Sequence, residues 1–129
     1  MDHVRKKQLV LTNIFRITKE IEDCFKSNDA AGADHGLDLR MEEILAAQEC
    51  DENIARILDM IDTTEALRLK RIMRLQAGDI HLQGDEKVLF DMYTNIKSIV
   101  DKTIEIDQRM SQKIGGEASV YNNKTEELN

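Results

Sequence analysis

Residues 89–110 read Leu89-Phe90-Asp91-Met92-Tyr93-Thr94-Asn95-Ile96-Lys97-Ser98-Ile99-Val100-Asp101-Lys102-Thr103-Ile104-Glu105-Ile106-Asp107-Gln108-Arg109-Met110, and their reading decides the fold. Leu89, Met92, Ile96, Ile99, Thr103, Ile106 and Met110 step by 3, 4, 3, 4, 3 and 4 positions. Steps alternating between three and four hold side chains on one stripe of an α-helix, with the 3.5-residue period of a heptad seam. A half-buried strand would alternate every second residue instead. Val88, Tyr93, Val100 and Ile114 widen the stripe. Asp85 and Glu86 at its start and Lys113 at its end suit the helix dipole. The spacing predicts a long helix over 85–114.

Working back toward the N-terminus, the glycines divide the chain. Gly32 and Gly36, Gly78, Gly84, and Gly115-Gly116 are the only six. A glycine inside a helix costs about 1 kcal/mol relative to alanine, so these positions read as connections. The segment 2–28 carries Val10, Ile14, Ile17, Ile21 and Cys24 on one helical face, with the connection expected over 28–36. The segment 37–61 carries Leu37, Met41, Ile44, Ala47, Ile54, Ile57 or Leu58, and Ile61 as its apolar row, interrupted at Asp51. Asp62 or Thr63 can cap a new helix, with Glu65 three residues after Asp62 as a capping box requires. That third helix is expected over 63–77, through Leu67, Leu69, Ile72, Met73 and Leu75. Residues 80–83 read as either a helical turn or a loop. Beyond Gly115-Gly116 the composition turns polar, so 115–129 is expected to be a flexible tail after a bundle domain over 1–114.

Composition agrees with helix. The chain has 129 residues, no proline and 4% aromatics, which disfavours a strand-rich fold. One domain is expected at this length. The expectation is an all-α, antiparallel bundle of three to four helices ending in the long heptad-bearing one, since short links bring consecutive helices alongside each other. No run of about 18 apolar residues occurs, so no membrane span is expected. No secretory leader is expected either, because the apolar triplet Leu9-Val10-Leu11 is too short to form one. Cys24 and Cys50 form no paired motif, fit a reducing cytoplasm and read as small buried hydrophobes.

Each catalytic template fails on spacing. His35 and His81 are preceded at three residues by Gly32 and Gly78, so the Glu-x-x-His pairs of a di-iron bundle are missing. No His-Glu-x-x-His, phosphate-binding glycine loop or Gly-x-Ser-x-Gly is present. Asp34-His35 and Asp79-Ile80-His81 read as solvated loop residues rather than metal ligands. Neither enzyme activity, metal nor cofactor is expected.

Charge is distributed unevenly. The net charge is −7, which opposes binding to a phosphate backbone. Residues 37–62 hold eight acids and two bases, whereas 63–77 hold four bases and one acid. Arg68, Lys70, Arg71 and Arg74 could grip a nucleic acid, but no aromatics accompany them for base stacking. Pairing of the basic helix with the acidic one beside it is the simpler expectation. The first and fourth segments outrun the third, so apolar surface is expected to remain on the long pair. Part of the seam is then core and part a surface for a protein partner's helix. The candidate partner-binding residues are Leu89, Met92, Tyr93, Ile96, Ile99, Val100, Ile106 and Met110.

The layout resembles the FlgN/FliT group of small flagellar export chaperones. The resemblance rests on a long first helix, the run Leu37, Arg40, Met41 and Ile44, the basic middle helix, and the heptad helix with Ile104-Glu105-Ile106-Asp107-Gln108-Arg109-Met110. The tail Gly115-Gly116-Glu117-Ala118-Ser119-Val120-Tyr121-Asn122 is also similar. The resemblance implies a cytoplasmic, non-enzymatic chaperone that holds the terminal helix of a filament or hook-associated subunit before type III export. The alternative is a self-associating coiled-coil structural or adaptor protein, homodimeric through the same seam.

Overall fold

A computed structural model describes residues 1–78 and 80–113 in full and 114–127 as helical backbone. Four helices and no strands occur among the described residues: α1 (Asp2–Lys26), α2 (Ala30–Met60), α3 (Thr63–Met73) and α4 (Asp85–Glu127). The all-α bundle is therefore present. No described helix is long and apolar enough to cross a membrane.

α1 turns into α2 within three residues, not over the nine the glycines suggested. The turn closes when the Asp29 N–H reaches the Cys24 carbonyl at 2.8 Å and the Asn28 N–H reaches that of Phe25 at 3.3 Å. Asn28 takes the left-handed conformation this closure needs, with φ 59°. The Asp29 carboxylate then accepts from the Gly32 N–H at 2.9 Å and caps α2. Gly32 and Gly36 consequently lie inside α2. They are there because the two helices touch. A Cβ on Gly36 would sit 2.6 Å from Ile21 Cγ1, and one on Gly32 would sit 2.9 Å from Cys24 Sγ.

The tight turn makes α1 and α2 antiparallel, with Cys24 opposite Gly32, Ile21 opposite Gly36 and Lys7 opposite Asp51. Cys24 thus faces the start of α2. Both cysteines are free thiols, Cys50 fully buried and Cys24 partly so. α4 runs parallel to α1: Glu22 pairs with Arg109 at one end, and Lys7 lies over the Tyr93 ring at the other. α1 packs between α2 and α4, which come together through side chains only. The long helices therefore form an up-down-up arrangement.

α3 is too short to make a fourth full-length strut. Its 11 residues span about 16 Å, against about 46 Å for the 31 residues of α2. Asp62 caps it as the spacing predicted, accepting from the Thr64 and Glu65 N–H groups at 3.1 and 3.4 Å. It stops at Met73, earlier than the expected 77. The Gln76 N–H bonds the Arg71 carbonyl at 2.8 Å and the Leu75 N–H that of Ile72 at 3.1 Å. This is the same helix-ending closure as at Asn28, with Leu75 in the left-handed position at φ 57°. Leu75 is partly buried against the core, and that packing offsets the strain. The segment from Arg74 to Gly84 then returns the chain at the same end, and Ile80 and Leu82 pack against the core as loop residues.

At its far end α4 passes through Gly115-Gly116, where the helix was expected to stop. Glycine weakens a helix but keeps the N–H that proline would remove. The tail assigned to 115–129 is thus helical in backbone to Glu127. Side chains from 114 onward and residues 128–129 lie outside the described residues, and with them the expected flexibility of that tail.

Candidate functional site

The core has two parts. At the α3 end, Val4, Ile54, Ile72, Ala77, Leu89, Met92, Tyr93 and Ile96 form one buried cluster. At the α1–α2 turn end, Ile17, Ile21, Ile106 and Met110 form another, with Phe15 packed against it. Six of the eight seam residues read as a partner surface are therefore buried by the chain itself: Leu89, Met92, Tyr93 and Ile96 at one end, Ile106 and Met110 at the other. Ile99 and Val100 are half-buried between them. The stripe's widest apolar part is covered because α1 and α3 both lie on it. A charge placed at Ile96 would test folding rather than binding.

The expected surplus of apolar surface exists, but α2 carries most of it. Leu37, Leu39, Met41, Leu45, Ile57 and Met60 are exposed on α2, against Leu9 and Phe25 on α1 and Val88 and Ile104 on α4. Leu37 and Met41 begin the apolar row that the sequence marks over 37–61. The face of α2 that meets α1 instead uses Ala33, Gly36, Cys50 and Ile54, because small residues let the backbones approach. The row of large apolar residues is thereby rotated outward.

An apolar opening reaches the seam at Leu89. Between α3, the C-terminal turns of α2 and the start of α1 lies a cleft of about 320 Å³. Val4, Ile54, Leu58, Leu69, Met73 and Leu89 form its apolar lining, and Met1 and Ile57 stand at its mouth. Glu65, Asp85, Glu86 and His3 complete its rim. Only Leu89 of the eight sequence-derived candidates lines it. The other lining residues come from four helices, so no local spacing announces them.

The opposite end has a larger cavity of about 450 Å³, lined by Glu22, Cys24, Lys26, Asn28, Asp29, Met110 and Lys113 among others. Phe25 and Ala30 also line it, but charged and polar groups make up a larger share of its walls than of the cleft at the α3 end. Burial pushes the Cys24 thiol above its ordinary pKa, and Asp29 and Asp23 add to the shift. That environment suppresses the thiolate needed for nucleophilic or redox chemistry.

Electrostatics hold α3 to α4. Arg68 donates to both carboxylate oxygens of Glu86, with Nη2 at 2.9 Å from Oε1. This fork lowers the Glu86 pKa and raises that of Arg68. The basic helix thus pairs with the first turn of α4 and not with the acidic α2, as its charge pattern had suggested. α2 and α3 are joined through Ile61 and Asp62, and their backbones make little contact with each other.

Two further polar arrangements bridge the helices. Arg40 donates to Asp107 at 2.7 Å and to the fully buried Thr18 hydroxyl at 3.4 Å, joining α2 to α4 across α1. At the α3 end, Lys7 pairs with Asp51 at 2.7 Å and lies 5.4 Å from the Tyr93 ring centre. Burial, with Asp51 nearby, pushes the Tyr93 pKa up to about 12. Its hydroxyl is buried with no hydrogen-bond partner among the described residues.

No group of three or more His, Cys, Asp or Glu side chains able to hold a metal ion occurs among the described residues. His81 Nε2 lies 2.9 Å from Gln83 Nε2, while Asp79 lies outside the described residues. Comparisons with family models, curated proteins and solved structures found no match to this chain.

Proposed function

We propose that the protein is a cytoplasmic, non-enzymatic chaperone that holds an amphipathic helix of a flagellar or type III secretion subunit before export. The resemblance of the sequence layout supplies the client class. The observation that carries the binding reading is the apolar cleft at the α3 end, about 320 Å³ in volume and opening beside exposed Ile57. Helix-binding proteins seat a few large apolar side chains of their partner in such grooves. Met1 and Met73 give the walls adaptable thioether side chains, which suits clients of differing shape. α3 forms a separable wall, tied to α4 by Ile72 and the Arg68–Glu86 fork and only lightly to α2.

A labelled peptide copying the terminal helix of a filament or hook-associated subunit tests the reading by fluorescence anisotropy. One-to-one binding is expected, weakened about tenfold by Ile57→Glu, since burying an unpaired carboxylate costs more than 1.4 kcal/mol. Ile57 is exposed, so that variant should keep the wild-type melting temperature. Binding unchanged by Ile57→Glu would remove the cleft from the account. Absence of binding by any such peptide would remove the chaperone reading.

A further inference from the structure

α2 carries an outward face that no described part of the chain covers. Leu37, Met41 and Leu45 follow one another at four-residue intervals and so form one row along the helix. They are 41, 56 and 56% exposed. Asp34, Asp38, Glu42 and Glu49 border this row and are exposed as well. Among the described residues, Arg40 and Asp51 are the α2 side chains engaged in ion pairs, and both turn toward α1 and α4. The bordering acids are therefore uncompensated, and α3, the chain's own basic helix, is committed to α4.

We propose that this face docks an amphipathic helix of a partner protein, apolar along its middle and lined with lysine or arginine on one flank. The row supplies the apolar burial, and the acidic border selects the charge of the flank beside it. A second copy of α2 is a poor occupant. Its bases are Arg40, paired with Asp107, and Arg56, bonded to Asn53, so a second α2 brings little positive charge to set against the acidic border. The proposal stands independently of the cleft at the α3 end, since none of its residues lines that cleft.

The test uses the full chain and two synthetic helices with leucines at four-residue intervals. One carries lysines along a flank, and the other carries glutamates in their place. The lysine helix should bind about tenfold or more tightly than its glutamate twin, and added salt should reduce the difference. Met41→Glu should abolish binding of the lysine helix. The double variant Glu42→Lys, Glu49→Lys should reverse the preference between the two helices. Met41, Glu42 and Glu49 are all exposed, so unchanged circular-dichroism melts should accompany these effects. Equal binding of both helices would overturn the proposal, as would loss of binding on Ile57→Glu with none on Met41→Glu. A wild-type dimer in light scattering that becomes monomeric on Met41→Glu would assign the face to self-association instead.

Discussion

The two ends of the bundle are held differently. At the α3 end eight buried residues drawn from all four helices and the returning loop form one cluster, and the cleft opens into it. At the turn end four buried residues suffice, and the helices are further joined by Arg40 to Asp107 and by the Arg109 fork on Glu22, 2.9 and 3.0 Å long. A tight turn and two close-packed glycines already fix α1 on α2 there. The α3 end has no such turn: a short helix and an eleven-residue return are held there by burial around Ile72 and by the Arg68–Glu86 fork. An end assembled mainly by side-chain contact around a short helix can admit another helix; an end fixed by a tight turn and close backbone contact serves as the anchor.

The comparison breaks first if α3 is not held by burial. Ile72 is fully buried at the centre of the α3 end. Ile72→Ala should cost about 3 kcal/mol in urea unfolding, and hydrogen exchange should show α3 opening before the turn end. Uniform opening would contradict the division. At the turn end, Gly36→Ala places a methyl group against Ile21 and should cost about 2 kcal/mol through overpacking, lowering the urea midpoint. A neutral result would mean that α1 and α2 are not in close contact.

Smaller effects sharpen the same contrast. Tyr93→Phe removes a buried hydroxyl without a partner and should leave stability unchanged or raise it by about 1 kcal/mol, read as an equal or higher melting temperature. A clear loss would place an uncounted hydrogen bond at the α3 end. The acid response should be smaller still. The Arg109 hydrogen bonds hold the Glu22 pKa below the ordinary value, outweighing the opposing effect of burial. A carboxylate so lowered contributes stability above its unfolded pKa of about 4.3, and the contribution is lost as pH falls through the lower folded value. Glu22→Gln should therefore lower stability slightly at neutral pH, change it little below the folded pKa, and so flatten the acid limb of a stability-versus-pH curve.

Much of this architecture was legible in the chain. The 3-4 spacing of 89–110 marked α4 and its buried stripe, and Asp62 with Glu65 marked the start of α3. Gly32 and Gly36 misled because the same residue serves breaks and close contacts, and only the neighbouring helix distinguishes them. That ambiguity rotated α2: the apolar row through Leu37 and Met41 faces outward, while Ala33, which carried no signal in the sequence, is buried beside Cys50, whose burial the sequence did suggest. The seam was correctly found as apolar, but what covers it depended on α3 being too short to cross the bundle and folding back at one end. The cleft was not legible: Val4, Ile57, Leu69 and Leu89 lie far apart in sequence and meet only after that return.

The central claim is that a client helix enters the cleft at the α3 end. Five of the six methionines offer reporters at useful places: Met1 and Met73 line the cleft, Met41 stands on the outer face of α2, and Met92 and Met110 are buried along the seam. Methyl NMR of methionine-labelled protein during titration with the subunit's terminal-helix peptide tests it most directly. The account predicts saturable shifts at Met1 and Met73 while Met110 holds still. Shifts at Met110 or Met41 with Met1 and Met73 unmoved would contradict it.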